Sequence, residues 1–559
     1  AGKNWQPISP DLTRHDPRTL IIAGGPITVE NSGAENYATI FTIAESPVTK
    51  GVIWVGSDDG MIHLTRDGGA HWQDVTPKGI PPFTRMSMID ASTVAAGTAY
   101  LAANRQLMDD FKPYLFKTTD YGATWTEIDA GIPKNEFTHV LREDPMRRGL
   151  LFAGTERGVW FSFDDGSHWQ PLRRNLPPVP VHDLIIKDND LAIATHGRAL
   201  WIMDDISPLR QLAATTLTEK AHLFNPADAY RVSWRSSRLI ENLQKGEDPG
   251  TGVGIYYWLA DSNEVVTLDV RDSSGAVVNH FSSEQDSIQR VDSLRLDRLK
   301  QTRNDSLRKA GVMDTSTLNK PFVEPPTDDP RNRLSSPSRL PSKKGLNVFY
   351  WNFRYADGAT LRDSVYRLGR VPGPVAVPGR YSVAFTAGGS TQRASFTLKP
   401  DPRIPVTAAE LAARLTFTRK LNDAATEVVD AVNRAYVLRQ EIDRRLAAVS
   451  SPGVTQASSD AASLKALRDT LLTWGKRMVP LFYGHNQYAE PYTATILDEL
   501  QRLGYGDSNS APNAVELSAA ETMIAAAREE VTRFNAMLRA QTASVNEQLR
   551  TKGQPPLNY

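Results

Sequence analysis

In the first 200 residues, charged side chains cluster at Asp58-Asp59-Gly60, at Asp109-Asp110 after Arg105, at Glu156-Arg157-Gly158 and at His196-Gly197-Arg198. Two carboxylates facing each other across a cleft are what glycoside hydrolysis requires, one as acid and the other as base or nucleophile. Asp59, Asp110 and Glu156 are therefore the candidate catalytic set. Asp58, Arg105, Asp109, Arg157, His196 and Arg198 form the candidate binding set, in which His196 and Arg198 suit a carboxylate, a sulfate or a sugar. A plainer reading competes with both. Asp-Asp-Gly and Glu-Arg-Gly also make tight turns, because Asp bonds to its own backbone and Gly tolerates positive φ.

The elements that must position these residues carry a repeat. Thr65-Arg-Asp67-Gly-Gly69-Ala-His-Trp72, Thr118-Thr-Asp120-Tyr-Gly122-Ala-Thr-Trp125 and Ser162-Phe-Asp164-Asp-Gly166-Ser-His-Trp169 all read [ST]-x-D-x-G-x-x-W. The aspartates are about 53 and about 44 residues apart, a period that signals a propeller or solenoid of strand-bearing units. Asp accepts bonds from its own turn, Gly supplies positive φ, and the Trp starts a strand and buries a large apolar surface between sheets. Four strands are predicted in each of residues 38–77, 86–128 and 137–172, and three in 181–203. Trp5–Ile8 reads as an isolated fourth strand, and three whole units are flanked by two partial ones. The candidate chemical residues then fall in the turns between second and third strands. The long loop 11–36, with His15, Arg18 and Glu35, and the Pro-rich loop ending at Arg85 lie toward the same side.

This pattern resembles the Asp-box, or BNR repeat, of sialidase-like and sortilin-like β-propellers. With Ile8-Ser-Pro-Asp-Leu-Thr-Arg14, Gly56-Ser-Asp-Asp-Gly60 and Ala194-Thr-His-Gly-Arg198 it is similar to a large family of secreted bacterial proteins, sortilin-like and often described as glycosyl hydrolase-like. The resemblance covers residues 1 to about 206. It implies that Asp67, Gly69, Trp72, Asp120, Gly122, Trp125, Asp164, Gly166 and Trp169 are structural, on the propeller face away from any ligand. It also implies export, so that the protein is secreted, periplasmic or on the bacterial cell surface. Sialidases use an arginine triad, an Arg-Ile-Pro motif and a Tyr–Glu nucleophile pair. The propeller segment has no Arg-Ile-Pro, and Arg403-Ile-Pro405 lies after it in a linker. Gly2 and Trp5 are spaced as the end of another box, so upstream blades of the same precursor are an expected partner.

The totals exclude other classes. Lys plus Arg and Asp plus Glu both number 64, so no net field favours nucleic acid or an anionic membrane. No apolar run reaches the roughly 18 residues of a membrane span. Cysteine is absent, which removes disulfides, thiolate metal sites and Cys catalysis. There is no His-Glu-x-x-His, P-loop or Gly-x-Ser-x-Gly, and Gly250-Thr-Gly-Val-Gly254 lacks a dinucleotide-site context. His63, His71, His139, His168 and His182 alternate with apolar residues on strands and read as packed or surface side chains. No metal or other cofactor is expected.

The remaining chain predicts a linker at 207–221 and a β-sandwich of immunoglobulin or fibronectin type III character at 222–400. A charged and Pro-rich insertion interrupts the sandwich at 285–344. Residues 401–559 read as helical. Thr407-x-x-Glu410 caps a helix to about Val449, Asp460–Leu481 and Thr493–Leu503 are shorter, and Ser518-x-x-Glu521 caps a last long one. The expected whole is a multidomain scaffold binding a peptide, a glycan or a partner subunit, with an oligomer or a larger extracellular assembly among the expected partners. The alternative is a sialidase-like glycoside hydrolase.

Overall fold

Short runs of β-branched and aromatic residues, punctuated by Asp and Gly turns, fold the first half of the chain into small antiparallel meanders. The computed structural model describes residues 4–558 apart from 23, 30–36, 214, 233–249, 251, 263, 285–338, 363–370, 450–457, 480–494 and 505–508. Glu35, Gly2 and nearly all of the 285–344 insertion lie outside the described residues. The chain divides into two units, Ala1–Leu212 and Ala213–Tyr559.

The first unit is propeller-like. Blade 1 comprises β1 (Ile40–Glu45), β2 (Ile53–Ser57), β3 (Ile62–Thr65) and β4 (Gln73–Asp74). Blade 2 comprises β5 (Arg85–Ala91), β6 (Ala99–Arg105), β7 (Asp110–Thr118) and β8 (Thr126–Glu127). Blade 3 comprises β9 (Thr138–Glu143), β10 (Leu151–Thr155), β11 (Gly158–Ser162) and β12 (Gln170–Pro171). Blade 4 has three strands, β13 (Val181–Lys187), β14 (Asp190–Thr195) and β15 (Leu200–Met203). Strand order follows chain order in every sheet. A short helix, α1 (Ser207–Gln211), closes the unit, and its Arg210 is bonded to the fully buried Asp144 at 2.9 Å.

The three repeat turns build the joints between blades. In each, the Ser or Thr hydroxyl donates to the Asp and accepts from the Gly amide, as in Thr65–Asp67 at 2.8 Å and Gly69–Thr65 at 2.9 Å. The same bonds recur at Thr118, Asp120 and Gly122 and at Ser162, Asp164 and Gly166. The Trp indole then donates back to the preceding blade, Trp125 Nε1 to the Val75 carbonyl at 2.7 Å and Trp169 Nε1 to that of Ile128. Trp72 Nε1 makes the matching bond to Ile8 O at 2.8 Å. Trp5–Ile8 is not a regular strand, and Trp5 is 88% exposed. Ile8 nevertheless holds the place that Val75 and Ile128 hold elsewhere.

Why glycine is needed in these turns is decided by packing. Gly68, Tyr121 and Asp165, which precede the glycines, have φ of 74°, 59° and 62°, so side chains tolerate this left-handed turn. A Cβ on Gly122, however, would lie 2.7 Å from Val75 Cβ, and one on Gly166 would lie 2.7 Å from Ile128 Cδ1. The glycine lets the next blade approach.

The second unit holds two sheets and a helical region. In chain order the strands are β16 (Ala221–Leu223), β17 (Ala229–Tyr230), β18 (Val253–Leu259), β19 (Thr267–Arg271), β20 (Val277–Ser282), β21 (Gly345–Trp351), β22 (Gly379–Ala387) and β23 (Ser390–Lys399). One sheet runs β16-β18-β21 and the other β17-β23-β22-β19-β20. Their apolar faces share one core, with Tyr257 against Phe385 at 4.6 Å and Trp351 against Tyr381 at 5.3 Å. Gly275 at φ 86° makes the β19–β20 turn where Asp272-Ser-Ser-Gly275 predicts one.

The helices are α2 (Ala408–Val449), α3 (Ser458–Met478), α4 (Ile496–Gly504) and α5 (Ala514–Thr551). They enclose a core in which Trp474 and Phe534 stack at 3.5 Å. The Thr407–Glu410 capping box forms as the spacing predicts. The last helix starts earlier than Ser518. Asn513 and Glu516 form its capping box, and Arg414 on α2 grips Glu516 and the carbonyls of Ser510 and Ala511. Ser518 sits one turn inside, its carbonyl accepting from Thr522.

Candidate functional site

A meander places the turns between second and third strands at one end of every blade, and an Ser or Thr at the end of the second strand anchors most of them. Ser57 Oγ accepts from Met61 N at 2.9 Å, Thr155 Oγ1 from Arg157 N at 3.3 Å and Thr195 Oγ1 from Arg198 N at 3.1 Å. Blade 2 replaces the hydroxyl with Arg105 and inserts a single 3₁₀ turn at Gln106–Met108, ended by Asp109 at φ 57°.

In blade 1, Asp59 is fully buried. Its carboxylate accepts from Ser57 Oγ at 2.5 Å and Arg14 N at 2.8 Å, which ties the incoming loop to the turn. Asp58 accepts from Thr39 N at 2.8 Å, and burial raises its pKa, with Asp59 adding to the effect. In the incoming loop His15 pairs with Asp11, and Arg18 with Asp16. In blade 2, Asp110 accepts from Tyr114 OH at 2.7 Å and stands 3.3 Å from Arg105 Nε. Burial works against its charge, but the bonds from Tyr114 and Lys112 N outweigh it and lower the pKa. Arg105 also donates to the Pro82 carbonyl at 2.6 Å.

In blade 3, Glu156 is 40% exposed and pairs with His139 Nε2 at 3.1 Å. Arg157 is exposed, as are His196 and Arg198 in blade 4. Neither Arg157 nor Arg198 has an ion-pair partner among the described residues. Asp59, Asp110 and Glu156 thus stand on three different blades. No hydrogen bond joins any two of them among the described residues.

Sequence reasoning passed over the buried polar groups that hold this end of the blades. Glu136, in the crossing before β9, accepts from Thr155 Oγ1 at 2.6 Å and Trp160 Nε1 at 2.9 Å. At the opposite end, Tyr100 OH donates to Asp165 at 2.8 Å and stands 3.2 Å from Glu143, which also accepts from Ser92 Oγ at 2.6 Å. Burial raises the pKa of Glu143. Tyr100 is 1% exposed and Glu143 5%, so this Tyr–Glu pair rivets two blades beyond the reach of a substrate. For Tyr100 and Glu143 the sequence signal was a polar residue at an inward strand position. An open groove of about 640 Å³ lies in the second unit, lined by Leu503, Val515, Ala519 and Met523. Among the described residues no cluster could hold a metal ion, and no helix is long and apolar enough to cross a membrane.

No family model matches the sequence, and no curated protein matches it. Among solved structures, similarity extends to YCF48 bound to D1 peptide, at 18% identity and TM-score 0.23, over 28% of this chain and 48% of that one. YCF48 from Cyanidioschyzon merolae is 14% identical, with TM-score 0.24, over 30% of this chain and 53% of that one. The GH74 xyloglucanase from Xanthomonas campestris is 14% identical, with TM-score 0.24, over 38% of this chain and 33% of that one. The chain spans about half or less of the length of these structures.

Proposed function

We propose that this chain is part of an exported bacterial propeller scaffold of Asp-box type that binds a peptide or protein partner through the turns between second and third strands. One observation carries the reading. Asp58, Asp59 and Asp110 of the first two blades are engaged by hydrogen bonds, whereas Arg157, His196 and Arg198 in the last two are exposed, and the two arginines lack ion-pair partners among the described residues. Such a face suits recognition better than acid–base hydrolysis, which needs two carboxylates across a sugar-sized cleft.

The two-sheet layer fits an immunoglobulin-like accessory sandwich, and the helices fit an assembly or spacer element. The outer faces of the end blades support completion by further blades or a partner subunit. Ile43 of blade 1 and Leu200 and Ile202 of blade 4 are exposed, where Leu141, Val159 and Phe161 at the matching positions of blade 3 are buried. The test is a peptide array probed with the whole chain and with Arg157→Glu/Arg198→Glu, run beside aryl-glycoside and sialoside hydrolysis. Peptide capture lost in the double variant supports the proposal. Turnover of a glycoside that Glu156→Gln abolishes would overturn it in favour of a glycoside hydrolase.

A further inference from the structure

A line of aromatic rings crosses the turn face of the first unit. Phe111 on β7 meets Phe137 at 6.0 Å, and Phe137 meets His139 on β9 edge-on at 5.1 Å. His139 meets His182 on β13 at 4.3 Å, and His182 stacks on His196 of the β14–β15 turn at 4.9 Å. Three blades thus contribute to one ladder whose last three rungs are imidazoles. The inner rung is 10% exposed, and the outer two are open to solvent.

Charge is distributed unevenly about this ladder. Glu156 pairs with the inner rung. Burial lowers the pKa of His139; Glu156 opposes this, while His182 and Arg85 on β5 add to it. Asp183, next to His182, is engaged by Arg142 at 3.2 Å. Arg157 and Arg198 stand in the same two turns as Glu156 and His196. When the outer imidazoles take up protons, two adjacent cations are held together by their strands, and no carboxylate among the described residues is bonded to either. Their ring faces lie against one another, so what they offer a ligand is N–H edges. Those edges match carboxylate oxygens.

We infer that His182 and His196, flanked by Arg157 and Arg198, form a proton-dependent binding site for the carboxylates of an acidic peptide segment. The inference rests on the binding-face reading above and names its ligand class. Histidine is the side chain that changes charge between about pH 5 and about pH 8, where glutamate side chains stay mostly ionised. Affinity that depends on one histidine proton therefore rises as pH falls, by at most about tenfold per pH unit.

The experiment is fluorescence anisotropy of a labelled hexaglutamate peptide with the whole chain at about pH 7.5 and about pH 5.5 in low salt, with a neutral peptide as control. The wild-type chain should bind about tenfold or more tightly at the lower pH. His182→Gln/His196→Gln should bind equally at both, and Arg157→Gln/Arg198→Gln should weaken at both while keeping the ratio. Equal wild-type affinity at the two pH values, or a ratio that survives the histidine double variant, overturns the inference. If binding is lost with the arginines but shows no pH ratio, the face reading stands and the ladder inference falls. Absence of hexaglutamate binding in a chain that still captures other peptides overturns the ladder inference, and absence of all peptide binding overturns both.

Discussion

Gly122→Ala and Gly68→Ala separate the two reasons a turn might demand glycine. The two positions have nearly the same backbone, φ 79° and φ 74°. Alanine in this left-handed region costs roughly 1–2 kcal/mol, and a less flexible unfolded chain returns about 0.4–1 kcal/mol. That balance applies to both. A methyl at Gly68 would meet nothing within 4 Å, whereas at Gly122 it would sit 2.7 Å from Val75 Cβ and 3.3 Å from Trp54 Cζ3. Val75 is β-branched and stiff, and Trp54 is fully buried, so neither can yield cheaply. Overpacking of this kind adds about 1–3 kcal/mol. Hydrogen exchange of peptides spanning each substituted turn, residues 112–128 for Gly122→Ala and 60–75 for Gly68→Ala, reads the local opening free energy, each 1.4 kcal/mol being about tenfold in rate. Relative to wild type, exchange should rise roughly 5- to 140-fold more in the Gly122→Ala turn than in the Gly68→Ala turn, by the same conversion. Equal increases in the two turns would refute the packing argument and return the requirement to φ alone.

The folded-state pKa of Glu143 is raised by burial above the ordinary 4.5, so its contribution to stability is full below 4.5 and is lost as pH rises through the folded value. Glu143→Gln should therefore gain melting temperature relative to wild type at neutral pH, with the gain shrinking as pH falls toward 4.5. A constant difference across pH would contradict this. Trp474→Ala removes a ring stacked on the buried Phe534 and should cost about 3–5 kcal/mol in denaturant unfolding of the second unit. Asn513→Ala should cost about 1 kcal/mol by loss of the cap, while Ser518→Ala inside the helix should be nearly neutral, as circular dichroism melts would show.

What could be read from the chain alone was whatever rests on local rules. The repeat spelled out the turns because hydroxyl, carboxylate and glycine must sit at fixed offsets to satisfy one loop. The strand sets followed from alternation, and the long helix from Thr407 onward from its capping box and apolar stripe. The onset of the last helix was misplaced because two capping patterns compete within six residues. Arg414, almost a hundred residues earlier, helps to hold the Asn513 start.

The candidate site was legible as a set of turns but not as an arrangement. Residue type said that Asp59, Asp110 and Glu156 could ionise. Only packing buried Asp59 beneath Ser57 and Arg14, tied Asp110 to Tyr114 and left Glu156 to a histidine on the neighbouring strand β9. His139 and His182 read as strand histidines and His196 as a turn residue with no link to them, because nothing in a linear order says which strands of successive blades stand side by side. By itself the sequence determined the repeating unit, whose bonds close within about eight residues. The tertiary structure decided which charges stay free and which rings meet, because those outcomes depend on how closely glycine lets one blade approach the next.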